Sequence, residues 1–290
     1  MRHFLDRLMD ANDGWAKPFG EFNHRWLSAL FRPIRPIKDF LNGTWLGHPV
    51  HPAVTDLPFG AFIVALILDL VGQPQPAFVA MIVGQLGFVA AIVSGLADYT
   101  DTDGRARTRA TLHGTLMAVA AALTFVSLLL RDGGAATGAT QTALLAVGLG
   151  LALAGAYVGG DVVYVLGNMV SRHAFRGSGQ KWIRLDTGGL TDLAALPEAA
   201  PRRMRAGIND LVIVRVGDTI HAMHAVCAHA GGPLDEGPVT VDGCIECPWH
   251  GSRFALADGR LRRGPAVYDQ PAYEVRAAEG GGYEVRRAAS

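Results

Sequence analysis

Cysteine is scarce in this 290-residue chain: Cys227, Cys244 and Cys247 are the whole complement, too few for a disulfide framework. Net charge is absent as well, with 26 Lys and Arg against 26 Asp and Glu, which by itself says nothing about partners; no nucleic acid is expected as one. Neither a twin-arginine signal nor a short apolar segment with a small-residue cleavage site precedes the first long apolar run, so a removable signal peptide is not expected. The last scarcity is local. Charged residues almost vanish from four stretches, Leu57 to Val71, Ala77 to Leu96, Leu112 to Leu130 and Thr142 to Leu166.

Stretches of that length and composition cross a bilayer as helices, the first of them when counted from Thr55 to Gly72. Small residues recur within them, as at Gly84, Gly87, Ala90, Ala91 and Gly95, which lets helix backbones approach closely in lipid. A soluble bundle would need amphipathic partners to wrap four apolar helices, and none is expected in the rest of the chain. A four-helix integral membrane domain follows.

Loop charges set its expected orientation. Arg2, Arg7, Lys17, Arg25, Arg32, Arg35 and Lys38 precede the first span, Arg105, Arg107 and Arg109 lie between the second and third, and Arg172, Arg176 and Lys181 follow the fourth, whereas the opposite side holds only Arg131. The positive-inside rule places both termini in the cytoplasm, in a bacterial inner membrane. Between Met1 and Phe31, Phe4, Leu5, Leu8, Met9, Trp15, Phe19, Phe22, Trp26 and Leu30 recur at helical spacing, interrupted by Gly14 and Pro18. The pattern predicts broken amphipathic helices lying in the membrane interface, in contact with lipid; a contact with another protein copy is the rival reading.

Downstream of residue 180 the period changes. Leu211 to Val216, Thr219 to His224, Cys244 to Cys247, Tyr273 to Val275 and Tyr283 to Val285 are short, rich in β-branched and aromatic residues, and bounded by Gly, Asp and Pro. They predict a small all-β domain. The fold expected is thus multidomain, with an interfacial segment at 1–54, a four-helix transmembrane domain at 55–168, a linker at 169–181 and the β domain at 182–290. Gly177-Ser178-Gly179 makes that linker short and flexible, which tethers the β domain near the membrane.

Within the β domain, Cys227 and His229 form a C-x-H pair, and Cys247 and His250 a C-x-x-H pair. Two sulfurs and two imidazoles suit the two irons of a [2Fe–2S] cluster, cysteines on one and histidines on the other. Taken alone, the same four suit a structural zinc ion. The surroundings are more specific: Cys247-Pro248-Trp249-His250-Gly251-Ser252-Arg253-Phe254, then Asp258-Gly259 and Gly264-Pro265-Ala266, with Ala230-Gly231-Gly232-Pro233-Leu234 after the first pair. From Trp182 to Arg287 the chain resembles the Rieske ferredoxin family.

That resemblance implies two loops projecting from a β scaffold, each offering one Cys and one His, with the cluster at the tip and both imidazoles toward solvent. Quinol-oxidising members carry a second Cys after each ligand pair and bridge the loops; Gly232 and Trp249 stand there instead, so no such disulfide is expected. Cys244 is read as a small hydrophobe in the strand entering the second loop. Ser252 occupies the place from which high-potential relatives donate a hydroxyl to a cluster sulfur, but Phe254 replaces their Tyr. The expected potential lies low in the Rieske span of roughly −150 to +300 mV.

Ionisable residues also gather at the expected cytoplasmic end of the spans: His48 and His51 in Gly47-His48-Pro49-Val50-His51-Pro52, then Asp56, Asp98, Asp101, His113, Asp161 and His173. They are expected around one pocket. Together with Asp69, Tyr157 to Tyr164 and Arg172-His173, the His-Pro-x-x-His-Pro opening resembles a family of four-helix bacterial membrane domains of unknown function, from about Thr44 to Phe175. Three readings of the histidines stand side by side: bis-His ligation of a b-type haem by His51 with His113 or His113 with His173 from neighbouring helix ends, a quinone site pairing His113 with Asp98 or Asp161, and a structural role in capping and hydrogen bonding. Asp69, near the far end of the first span, reads either as reaching the opposite interface or as part of a proton path.

The expected function is that of a membrane-anchored Rieske protein passing single electrons between a membrane donor, quinol or haem, and a cytoplasmic partner protein, a component of an oxidoreductase system rather than a complete catalyst. The alternative is a redox sensor or assembly factor whose cluster lies on no electron path. An oxygenase would need a mononuclear iron on two His and a carboxylate. His48, His51 and Asp56 have the right types, but Pro49 and Pro52 break any shared helix face.

Overall fold

The computed structural model describes residues 2–173 and 181–288. Residues 174–180, with Arg176 and the Gly177-Ser178-Gly179 run, lie outside the described residues, as do the side chains before Phe4. The chain forms two compact units, Met1–Asn42 with Pro49–Asn168, and Gly43–His48 with Met169–Ser290.

The first unit is helical. Three helices, α1 (Arg2–Asp10), α2 (Asp13–Phe31) and α3 (Arg35–Asn42), precede four long ones, α4 (Val50–Leu70), α5 (Pro74–Tyr99), α6 (Gly104–Leu129) and α7 (Ala139–Gly160), the last continued by a π turn at Asp161–Val165. These four are long and apolar enough to cross a membrane. Their outer faces stay apolar, with Leu57, Ile63, Ile67, Leu86, Val89, Phe125, Leu129, Val147 and Leu153 exposed, so the medium that suits this surface is lipid. All four start upstream of the apolar stretches in the sequence, because Pro49, Gln73, Asp103 and Gly138 are the residues at which helical backbone begins.

The interior is built on close approach. A Cβ on Gly84 would meet the Phe62 ring at 2.4 Å, and one on Gly148 would meet Thr124 at 2.8 Å, so each glycine is the hole for a side chain of the preceding helix. Helix α4 packs along α5 and α6 along α7, and the two hairpins meet through α4 with α7 and α5 with α6, which leaves α4 and α6 on one diagonal.

The N-terminal segment differs from its expectation. Its helices break at residues 11 and 12, not at Gly14 or Pro18, since α2 runs unbroken through Pro18, whose ring lies on the exposed side. Nor is it separate from the bundle: α2 buries Ala16, Gly20, Leu27 and Phe31, and Tyr99 Oη donates to the Gly20 carbonyl at 3.0 Å. Trp15, Phe19, Phe22, Trp26 and Leu30 form a second, uncovered stripe on the same helix.

In the second unit six strands close a barrel in the order β1 (Ile183–Asp186), β2 (Arg202–Ala206), β3 (Asn209–Val216), β4 (Thr219–His224), β8 (Ala272–Ala277) and β9 (Tyr283–Arg287). A three-stranded sheet joins β5 (Cys244–Glu246), β6 (Arg253–Ala255) and β7 (Leu261–Arg263). Strand β3 is the common wall. Leu211 and Ile213 point into the barrel with Leu185, Met204, Ala222 and Val285, while Val212 and Val214 face Ile245, Phe254 and Leu256 of the small sheet. Burial on both faces explains why its run of apolar residues lacks alternation.

Candidate iron–sulfur centre and membrane residues

Cys227 and Cys247 each open a loop of the same construction. The Cys227 carbonyl accepts from Gly231 N–H (3.1 Å) and its own N–H donates to the Gly232 carbonyl (2.9 Å); at the second loop the Cys247 carbonyl accepts from Gly251 N–H (2.9 Å) and its N–H donates to the Ser252 carbonyl (2.8 Å). Both loops turn on a glycine in the left-handed region, Gly231 at φ 88° and Gly251 at φ 76°. Backbone N–H groups of His229 and Ala230 point at the Cys227 sulfur, and those of Trp249 and His250 at the Cys247 sulfur. Such donors favour negative charge on sulfur, as metal ligation requires.

The two sulfurs share a hydrogen bond, which together with burial pushes the Cys227 thiol up and, against burial, brings the Cys247 thiol down to about 7. The rings of His229 and His250 face each other at 5.0 Å between centroids and 86° between planes. The four side chains therefore come as a sulfur pair and an imidazole pair. Among the described residues no three metal-binding side chains converge on one point, as a single zinc ion would need. A dinuclear cluster with unlike irons fits this donor set.

One expectation changes here. His250 is half-buried, but His229 is only 4% exposed, beside Met169, Pro265, Val267 and Tyr268, so the two imidazoles do not both open to solvent.

Neighbouring residues brace the loops. Gln270, buried, donates to the His224 and Val226 carbonyls (2.6 and 2.7 Å) and accepts from Ala228 N–H (2.9 Å). Arg263 donates to the Gly251 carbonyl (2.8 Å) and pairs with Glu246 (2.8 Å). Ser252 is fully buried and its Oγ accepts from Ala266 N–H (3.0 Å), which leaves the hydroxyl proton to donate elsewhere. A Cβ on Gly232 would sit 2.7 Å from the Cys247 sulfur and 3.1 Å from the Trp249 ring, so the two positions that lack cysteine pack against each other across the loops. All three cysteines are free, and Cys244 lies buried in β5. Nothing in the sequence spacing singled out Gln270 or Arg263; their roles depend on β7 and the 264–271 segment returning beside the loops.

The membrane candidates fall in both units. His51 and His113 meet, with ring centroids 6.1 Å apart and planes at 81°. They do so across the bundle diagonal rather than from neighbouring helix ends, because α4 and α6 are the first helices of the two hairpins. Asp98 is buried near Asp101, whose carboxylate takes Lys38 Nζ (2.5 Å) and Asn42 Nδ2 (2.8 Å). Asp161 pairs with Arg109 (3.6 Å), which also holds Asp10 and Asp13. Exposed His48 groups with the β unit, as does His173, whose Nε2 donates to the Val226 carbonyl (2.9 Å) and whose ring lies 4.5 Å from that of His224. His173 thus braces the backbone one residue before Cys227.

Asp69 lies one residue from the end of α4. Its carboxylate is fully buried and takes both Arg131 terminal nitrogens, at 2.7 and 2.6 Å, with Thr142 Oγ1 at 3.4 Å. Arg131, just beyond the end of α6, is equally buried.

Residues 190–274 match the Rieske [2Fe-2S] domain family, and residues 47–176 match a family described as predicted membrane protein (DUF2231). Over 83 residues the chain is 34% identical to the anthranilate 1,2-dioxygenase ferredoxin subunit of Burkholderia cepacia, covering 29% of this chain and 76% of that protein. Over 85 residues it is 36% identical to ferredoxin CarAc of Metapseudomonas resinovorans, covering 29% and 78%. A solved ferredoxin of carbazole 1,9a-dioxygenase from Nocardioides aromaticivorans IC177 is 29% identical, covering 38% of this chain and 99% of that one with a TM-score of 0.31. A Rieske domain implies a [2Fe–2S] cluster, the group that the paired loops suit. The chain belongs to the Rieske [2Fe-2S] family through its C-terminal β domain, which follows a membrane domain of the DUF2231 family.

Proposed function

We propose that this protein is a membrane-anchored electron carrier in which Cys227, His229, Cys247 and His250 hold the cluster. The single observation that carries the ligand assignment is the matched construction of the two loops, which delivers sulfur against sulfur and imidazole against imidazole. When bound, the cluster supplies a one-electron couple. Cys227 and Cys247 hold one iron, with their N–H donors stabilising the charge on sulfur; His229 and His250 hold the other, and partly exposed His250 is the exit toward a redox partner protein. Ser252 donates its remaining proton toward the cluster and tunes it.

The electron comes from the membrane side, from quinol or a haem, and leaves to a partner protein in the cytoplasm, the orientation that Arg105, Arg107 and Arg109 and the basic residues from Arg172 to Lys181 favour. Under this reading α1 to α3 go with the bundle and Gly43–His48 with the Rieske unit.

The test is a His250→Ala variant compared with the native protein in membranes. The native protein should show two non-haem irons per chain and the rhombic electron paramagnetic resonance of a mixed His and Cys cluster when reduced. In the variant that signal and electron flux to an added acceptor should both disappear. Flux that survives cluster loss would move the protein to the class of sensors or assembly factors.

A further inference from the structure

The two helical hairpins repeat each other. Residues of α4 correspond to those of α6 and the turn just after it at a constant offset of 62 (51 to 113, 62 to 124, 69 to 131), and those of α5 and α7 at 64 (84 to 148, 91 to 155, 95 to 159). The contacts repeat with them. Phe62 sits over Gly84 and Thr124 over Gly148; His51 sits over Gly95 and His113 over Gly159, where a Cβ would stand 2.9 Å from either ring. His51 Nδ1 bonds the Ala91 carbonyl and His113 Nδ1 the Gly155 carbonyl, both at 2.8 Å. At the other end the corresponding residues Asp69 and Arg131 bond to each other. The two equivalent histidines and the two equivalent charged residues thus meet across the same diagonal of the bundle.

The hydrogen bonds decide the tautomer. A carbonyl only accepts, so each Nδ1 carries the proton and each Nε2 presents a lone pair. Among the described residues neither Nε2 has a protein hydrogen-bond partner. This is how metal-bound imidazoles are held, oriented through the nitrogen that does not bind. The spacing agrees: two metal–nitrogen bonds of about 2.0–2.1 Å, plus roughly 1 Å from each nitrogen to its ring centre, put the centroids about 6 Å apart, against the observed 6.1 Å.

A bare ion is the weaker occupant. Among the described residues no third Cys, His, Asp or Glu joins the pair, so an ion held only here would have two protein ligands, short of the four or more that transition metals take. An occupant bringing its own four in-plane nitrogens removes that deficit. Both residues are half-buried.

We propose that His51 and His113 are the two axial ligands of a tetrapyrrole-bound iron, one haem per chain, held across the diagonal of the four-helix bundle. The inference goes beyond the iron–sulfur reading and does not rest on it. Bound in this way the iron cycles between ferric and ferrous by taking up and giving up one electron, with no bond to the protein made or broken.

The test uses full-length protein purified in detergent from cells fed δ-aminolevulinic acid, and the same preparation titrated with hemin. One haem per chain by pyridine haemochrome, with sharp reduced-minus-oxidised bands of a low-spin bis-imidazole iron, is expected. His51→Ala and His113→Ala should abolish the bands, whereas His113→Met should keep haem and shift the spectrum, which separates ligation from failure to fold. His48→Ala should leave the spectrum unchanged. Absence of haem in both preparations, a bare transition metal at one per chain, or native bands in His51→Ala and His113→Met would each overturn the proposal. Cys227→Ser removes the cluster signal but not these bands, so the iron–sulfur reading and this one fail separately.

Discussion

Asp69 and Arg131 offer a demanding test of the repeat, because they occupy equivalent positions and bond to each other. Both side chains are fully buried, the pair is bidentate at 2.6 and 2.7 Å, and Thr142, Thr137 and Ser127 supply further contacts at 3.3 to 3.5 Å. Asp69→Asn keeps the shape but leaves a guanidinium without its counter-charge. Removing one partner of a buried pair costs about 3–5 kcal/mol, which on soluble-protein scaling lowers the melting temperature by roughly 6–20 °C. Exchange of the charges, Asp69→Arg with Arg131→Asp, should recover most of that loss, since each position sees the other hairpin in the same way. A double apolar replacement, Asp69→Leu with Arg131→Leu, should come out near neutral, because no uncompensated charge remains. The assay is thermal unfolding of the detergent-purified protein followed by loss of helical circular dichroism. If Asp69→Asn melts within 2 °C of the native protein, the pair does not lock the bundle; if the exchanged double variant is no better than Asp69→Asn alone, the two positions are not equivalent and the repeat is wrong.

Three further outcomes are expected. The native potential should fall in the lower half of the Rieske span, and Ser252→Ala should lower it by on the order of 50 mV, the equivalent of about one kcal/mol for one electron; a redox titration reads both, and an unchanged potential would show that the hydroxyl does not reach the cluster. Gly232→Ala places a methyl 2.7 Å from the Cys247 sulfur, so iron per chain should drop well below that of the native protein in elemental analysis, with the helical unit unaffected. Burial, reinforced by the Arg107 charge, holds His24 below its ordinary value while its Nε2 donates to the Thr100 carbonyl at 3.1 Å. The unfolded state therefore binds the proton more readily, so docking of α2 is fully favoured above about pH 6.5 and weakens as pH falls below it. Hydrogen-exchange protection of residues 13–31 should decline between pH 7.5 and 5.5 in the native protein and much less in His24→Gln.

The Rieske half was legible because its chemistry is local. Two candidate ligand pairs and the glycines beside them lie within short loops, so the spacing read with its flanking residues points to the family. The strands that read poorly were Ile183–Asp186 and Arg202–Ala206, where charged residues alternate with few apolar ones, and the three-residue pieces Arg253–Ala255 and Leu261–Arg263. Each depends on pairing with a neighbour rather than on its own propensity. The four spans were equally plain from apolar length, but their starts were not. Helix α6 begins at Gly104 with Arg105, Arg107 and Arg109 in its first turns, and those charges are carried by Asp10, Asp13 and Glu21 of the N-terminal helices.

The site in the membrane half was half legible, and the reason lies in the repeat. His51 and His113 were candidates by type; of the other residues grouped with them, Asp161 pairs with Arg109 and His173 with the Val226 carbonyl, Asp98 lies buried near Asp101, and His48 is exposed. What would have separated them is the offset of 62, and that offset is hard to see because equivalent positions carry complementary side chains as often as identical ones. Asp69 answers Arg131, and Phe62 answers Thr124, so comparing one hairpin with the other by identity finds little beyond the histidines and their glycines. A contact across a pseudo-symmetry axis selects for such complementarity wherever a like pair would repel, as two buried carboxylates or two buried guanidinia would. Only neutral pairs are free to stay identical there. That His51 and His113 remain alike, each oriented through Nδ1 with Nε2 turned to no protein partner, is therefore the observation on which a shared ligand between them rests.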